Sequence, residues 1–119
     1  MNICKVVCNE CPFSSKSIKG FLGGYTTQDF MDFFNSETLF ACHKTLKSDC
    51  TVQEMEQNVL DCKIPLCRGY VDSIIKSCKL PKRGILLDVY KTVKNEGCAD
   101  ETMSIYAFHN HHNYNKDRE

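Results

Sequence analysis

The sequence predicts a mainly α, single small domain of four to five short helices with an irregular N-terminal metal-binding knuckle. Three observations predict it. A chain of 119 residues has room for one hydrophobic core. Apolar residues recur at three- and four-residue steps in successive segments bounded by capping residues, Pro or Gly. Nine cysteines include one close pair, Cys8-x2-Cys11-Pro12, which reads as a tight turn carrying two thiols.

Residues 1–13 read as a short extended piece entering that turn, and Pro12 stops any helix there. Residues 14–24, with Ser14, Ser15, Ser17, Gly20, Gly23 and Gly24, have loop chemistry, with Phe21 and Leu22 plugging it onto the core. Thr26 or Thr27 caps a first helix, Gln28 and Asp29 fill its first turn, and Phe30, Phe33 and Phe34 form one apolar face that fades near Asn35. Residues 38–46 read as an extended segment or turn presenting Cys42 and His43. Thr51-Val52-Gln53-Glu54 is a capping box for a second helix carrying Met55, Val59 and Leu60, which ends by Pro65.

A further helix fits residues 66–78 through Leu66, Tyr70, Ile74, Ile75 and Cys78, and Pro81 and Gly84 break it. Leu86, Leu87, Tyr90 and Val93 mark the next, which ends near Gly97. Thr102 starts a last short helix with Ile105, Tyr106 and Phe108. The expected division is a metal-stabilised helical domain over 1–108 and a polar C-terminal tail over 109–119. The expected core is Phe13, Phe21, Leu22, Phe30, Phe33, Phe34, Leu60, Tyr70, Ile74, Leu87 and Tyr90.

Fifteen basic residues balance fifteen acidic ones, which argues against holding nucleic acid by bulk positive charge. No apolar run approaches the ~20 residues of a membrane span. Residues 1–12 do not resemble a signal peptide, so the expectation is a cytoplasmic protein with reduced thiols and no membrane association. Reduced cysteines serve as metal ligands, small core residues or nucleophiles. Cys78 and Cys98 fit the core reading. Cys8 and Cys11 are half of a metal site, and the candidates for the other half are Cys42, His43, Cys50, Cys62 and Cys67. Cys42 lies in the least helical stretch, where a side chain can be aimed, and Cys67 lies at a helix start, where the dipole favours a thiolate. The expected ligands are therefore Cys8, Cys11, Cys42 and Cys67, with His43 as the alternative ligand, around one zinc ion or one iron–sulfur cluster. Zinc stands slightly ahead.

Cys8-x2-Cys11-Pro12-Phe13, Gly20-Phe21-Leu22-Gly23 with Tyr25-Thr26, Phe40-Ala41-Cys42-His43-Lys44-Thr45, Cys67-x-Gly69 and Lys79-Leu80-Pro81 follow in that order. Together they resemble a family of small cysteine-containing proteins carried by bacteriophages and bacteria. Its pattern is a Cys-x2-Cys-Pro-Phe-Arg start, a Gly-Trp-Leu-Gly loop, a Pro-Cys-His-Lys-Thr block and a later Cys-x-Gly. The likeness covers residues 8–81, and the family's recurring cysteines fall on Cys8, Cys11, Cys42 and Cys67. This chain has Ser14, Phe21 and Ala41 where that pattern has Arg, Trp and Pro. The resemblance implies a phage or bacterial setting, with the host cell's cytoplasm as the compartment, and a metal-bound fold. It carries no activity with it.

Three functions follow as expectations. The first is a non-enzymatic, metal-stabilised module that binds a host or viral protein. The second is a nucleic-acid-binding module using the basic 76–94 stretch, with Lys76, Lys79, Lys82 and Arg83 as contacts and Tyr70 and Tyr90 as stacking platforms. The third is cysteine chemistry, as a Cys8–Cys11 redox pair or a Cys42–His43 nucleophile in a hydrolase. It lacks the alternating strand–helix surroundings of thioredoxin-like proteins, and adjacent residues seldom align as nucleophile and base. His109, His111 and His112 form a cluster that reads as a polar helix end, an exposed tail or a second metal site.

Overall fold

The computed structural model describes residues 3–4, 11–17, 25–41 and 51–112. Five α-helices lie among them: α1 (Thr27–Ser36), α2 (Val52–Leu60), α3 (Arg68–Lys76), α4 (Gly84–Glu96) and α5 (Ile105–His112). The described residues hold no strand, only isolated bridges. The mainly helical fold is therefore as the sequence predicts.

Local sequence sets most helix ends. Thr26 caps α1 by accepting from the Asp29 amide, and the Asp29 carboxylate accepts from the Thr26 amide. Thr51 and Glu54 do the same for α2. Gly97, at φ 95°, ends α4. Helix α5 starts at Ile105 rather than Thr102. Thr102 is instead buried in an antiparallel bridge to Ser14, and the Ser104 hydroxyl takes the capping role by accepting from the Ala107 amide. Helix α5 continues through His112, so residues 109–112 belong to it and not to a tail.

The core is aromatic and centred on Phe13. Its ring meets those of Phe30, Phe34, Phe40, Tyr70 and Phe108 at centroid distances of 5.0–6.0 Å. Such pairs contribute roughly 0.5–1.5 kcal/mol each beyond burial. Seven of the expected core residues are buried: Phe13, Phe30, Phe33, Phe34, Tyr70, Ile74 and Tyr90. Leu60 packs against the core from its edge. Leu87 is only half-buried, because its neighbour Leu86 takes the inward position. Phe21 and Leu22 lie outside the described residues. Leu39, Phe40, Met55, Val59, Leu66, Val71, Val93 and Phe108 complete the interior.

Helix α3 is the central element, packed on α4 and α5, and every residue from Arg68 to Ile74 is buried. Its charged residues are turned to internal use. Arg68 pairs with Glu96 at 2.7 Å, lies 3.5 Å from Asp72 and donates to the Gly97 carbonyl at 3.1 Å. Asp72 accepts from the Ala99 amide and the Thr102 hydroxyl. One turn on, the Lys76 ammonium donates to the carbonyls of Ala99, Asp100 and Thr102 at 2.6, 3.3 and 2.7 Å. Residues 68, 72 and 76 form one stripe down the helix, and that stripe clasps the connection between α4 and α5.

Candidate metal centre

Segments distant in sequence converge on the start of α3. Leu66 bridges Ile3 in the parallel sense and Ala41 in the antiparallel sense. The Cys4 amide donates to the Leu66 carbonyl at 3.1 Å, and the Cys67 amide donates to the Phe40 carbonyl at 2.9 Å. Cys67 is the N-cap residue of α3, yet its side chain makes no capping bond. Its sulfur turns towards Cys11.

Cys11 opens a tight turn. The Ser14 amide donates to the Cys11 carbonyl at 3.0 Å, with Pro12 at the second position, where its fixed φ suits the bend. The turn is tied from outside as well. The Met103 amide donates to the Phe13 carbonyl at 2.8 Å, and the Ser15 amide donates to the Glu101 carbonyl at 2.7 Å. The Ser17 hydroxyl donates to the Ser14 carbonyl at 2.7 Å.

The Cys11 and Cys67 sulfurs stand 3.9 Å apart across a sequence separation of 56, and both residues are buried. The hydrogen bond with Cys67 holds the Cys11 thiol below its ordinary value; burial opposes this, and the amides of Phe13 and Ser14 reinforce it. Gly69, in the first turn of α3, lets the sulfur lie against the helix backbone: a Cβ there would collide with Cys11 Sγ and come within 3.2 Å of Phe13 Cβ. Cys98 is held the opposite way. Burial, and then Asp72, push its thiol above the ordinary value. A metal ligand must be a thiolate; the shift at Cys11 runs towards that form and the shift at Cys98 runs against it.

Of the four expected ligands, the structure thus brings Cys11 and Cys67 together. Cys8, Cys42 and the alternative ligand His43 lie outside the described residues, as does Cys50. Among the described residues no group of three or more His, Cys, Asp or Glu is placed to hold a metal ion. Cys62 and Cys78 are exposed, and Cys98 is half-buried. The reading of Cys78 as a core residue is therefore corrected: it lies just past the end of α3 with φ 56°, where the chain turns out of the helix.

The basic stretch is largely engaged within the fold. Lys76 serves the 99–102 carbonyls, and Arg83 donates to the Glu37 carbonyl at 3.1 Å and pairs with Glu56 at 2.8 Å. Lys79 reaches Asn35 at 3.4 Å, and the backbone amide of Lys82 donates to the Glu37 carboxylate at 2.9 Å. Tyr70 is fully buried, with its hydroxyl donating to the Phe33 carbonyl, and Tyr90 is 7% exposed. Neither offers a face for a base to stack on.

The histidine cluster has a role that the sequence did not reveal. His112 is 2% exposed, packs its ring on Phe108 at 4.8 Å, and its Nε2 lies 2.7 Å from the Pro12 carbonyl. His111 Nε2 lies 2.9 Å from the Ser17 carbonyl. A carbonyl only accepts, so both Nε2 atoms carry the proton. Burial holds the His112 imidazole below its ordinary pKa. No local signal marks these contacts, because they cross 94 to 100 residues of chain.

Comparison with family models, with curated proteins and with solved structures returned no match.

Proposed function

We propose that this chain is a non-enzymatic, metal-stabilised module that acts by binding a protein partner. One observation carries the metal: two buried sulfurs, distant in sequence, at 3.9 Å. Two thiolates on one tetrahedral zinc ion, with Zn–S of about 2.3 Å, stand about 3.8 Å apart. Cys11 and Cys67 would supply half of the ligand set, and Cys8 and Cys42 are the residues proposed to complete it. A cubane iron–sulfur cluster takes one cysteine per iron and spreads its sulfurs more widely, which favours zinc. The metal would close long loops in a small domain, where loop closure otherwise opposes folding.

Protein binding rests on a separate observation. What supports it is the outer surface, where Tyr106 is 76% exposed and Leu80 is 64% exposed. Tyr106 lies on the rim of a groove floored by Met31, Phe34 and Ile105. Large exposed apolar side chains of this kind suit a protein partner better than a small polar substrate.

The test is elemental analysis of protein purified without oxygen. Near one zinc per chain in a colourless solution is the expected result. Iron in a brown solution would change the metal, and no metal in any preparation would sink the reading. Pull-down of a specific partner by the wild type, lost on Tyr106→Asp, tests the binding surface.

A further inference from the structure

We infer that the groove between the ends of α1 and α3 and the start of α5 docks an acidic segment of the protein partner, anchored by one large apolar side chain. The inference rests on the protein-binding reading and names the chemistry of the partner. Met31 and Phe34 line the groove from α1, Cys78 and Lys79 from the turn after α3, and Ile105 and Tyr106 from the start of α5. Phe34 and Ile105 are buried, so the floor is apolar, whereas Cys78, Lys79 and Tyr106 are exposed. Met31 is half-buried and unbranched, and such a side chain adjusts to the shape of an incoming group. The groove encloses about 330 Å³, which seats a large side chain and its neighbour but no folded element.

Charge decides what surrounds the anchor. Among the described residues, Lys79 is the one charged side chain lining the groove. Its ammonium rests on the neutral Asn35 side-chain oxygen at 3.4 Å. Lys82, three residues on, is exposed, and its backbone amide rather than its ammonium meets the Glu37 carboxylate. The ion pairs among the described residues belong to Arg68 and Arg83, so neither lysine is paired there. A carboxylate beside the anchor would meet Lys79 across the rim, and complementary rim charge sets partner choice and encounter rate more than raw affinity. Nucleic acid suits the groove less well. Its phosphates recur along the strand, whereas one cation lines this groove, and a recessed apolar floor takes a side chain better than a flat base.

The chain contains no tryptophan, so a peptide with a single tryptophan set among aspartates reports its own burial by fluorescence. Its emission should move to the blue and saturate on titration with the full chain. The counterpart with asparagines for aspartates should bind about 2- to 5-fold more weakly, and added salt should narrow the gap. Lys79→Gln should erase the gap, and Tyr106→Ala should weaken both peptides. The bound acidic peptide should also slow maleimide labelling of Cys78 but not of Cys62, which is exposed outside the groove. Equal affinity for the two peptides overturns the acidic partner and leaves the groove as a protein site. Absence of binding, or labelling of Cys78 indifferent to bound peptide, overturns the docking site itself, and the Tyr106→Asp pull-down then decides the protein-binding reading alone. An oligothymidylate that displaces the acidic peptide overturns the inference in favour of nucleic acid.

Discussion

At Gly69 a hydrogen atom stands where any other residue would place a carbon against Cys11 Sγ and Phe13 Cβ. Neither neighbour can yield easily, since the sulfur is pinned by the turn and Phe13 is the hub of the aromatic core. Gly69→Ala should cost about 1–3 kcal/mol of unfolding free energy, as overpacking of a filled interior does. Chemical denaturation measures that cost, and a neutral result would mean that sulfur and helix are not in contact. A second single-residue effect is electrostatic. The Glu37 carboxylate accepts from the Arg83 amide at 2.7 Å and from the Lys82 amide at 2.9 Å. The Arg83 bond, foremost, holds its pKa below the usual 4.5. The folded state therefore binds this proton more weakly than the unfolded chain. The stabilisation is fully present above the unfolded value and is lost as pH falls through the folded one. Unfolding free energy followed between about pH 6 and pH 3 should decline more steeply in the wild type than in Glu37→Gln. Equal slopes would reject the contact.

Helix ends show how local sequence and tertiary placement share control of the elements. Helices α1, α2 and α3 each finish in a Schellman turn whose left-handed residue is not glycine: Glu37 (φ 53°), Cys62 (φ 62°) and Cys78 (φ 56°). In α3 the Cys78 amide donates to the Ile75 carbonyl and the Lys79 amide to the Ile74 carbonyl, the paired bonds of that motif. A side chain there costs about 1–2 kcal/mol relative to right-handed backbone. Cys78 is exposed. Cys78→Gly should accordingly raise stability by about 1 kcal/mol, net of glycine's greater freedom in the unfolded chain. Glu37→Gly should lower it despite the same backbone relief, because the acceptor for Lys82 and Arg83 is lost. Thermal melts of the two variants read the opposite signs. These ends also mark what the sequence discloses. The capping box at Thr51, the threonine cap before α1 and the stop at Gly97 are written in neighbouring residues, and each is found in the fold. The burial of Arg68 and Asp72 is not, because a charged face normally points to water and only pairing with Glu96 and the 99–102 backbone makes an inward stripe tolerable. The same limit applies at the candidate centre. The spacing of Cys8 and Cys11 and the helix start after Pro65 single out Cys11 and Cys67 locally, whereas the His112 contact exists only once α5 has packed against the turn at Pro12.

Across the whole molecule, two staples hold the helices to α3 from opposite ends. One is the sulfur pair at its start, which joins residue 11 to residue 67; the other is the Lys76 clasp at its end, which holds the 99–102 connection. Lys76 lies nine residue steps beyond Cys67, about 13 Å at 1.5 Å per residue. These two nevertheless meet at one connection, because the cysteine turn bonds to Glu101, Thr102 and Met103 while Lys76 holds the carbonyls of Ala99, Asp100 and Thr102, and sites that share a partner couple. Lys76→Met should lower unfolding free energy by about 1–2 kcal/mol, the worth of charge-assisted bonds to partly hydrated carbonyls. It should reduce, without abolishing, the gain in melting temperature on adding zinc to metal-free protein. Cys11→Ser should abolish that gain, since a ligand that binds only the folded state stabilises it in proportion to the logarithm of its concentration over Kd. Cys98→Ser should change neither quantity by much, because burial and Asp72 shift its thiol away from the thiolate form that a metal ligand needs. The decisive comparison is the double variant Cys11→Ser with Lys76→Met. Its loss of stability in the presence of zinc should depart from the sum of the single losses by more than about 0.5 kcal/mol, since both staples hold the 99–103 connection. A loss equal to the sum would mean that the two staples act independently despite the shared connection, and a zinc response surviving Cys11→Ser would place the metal elsewhere in the chain.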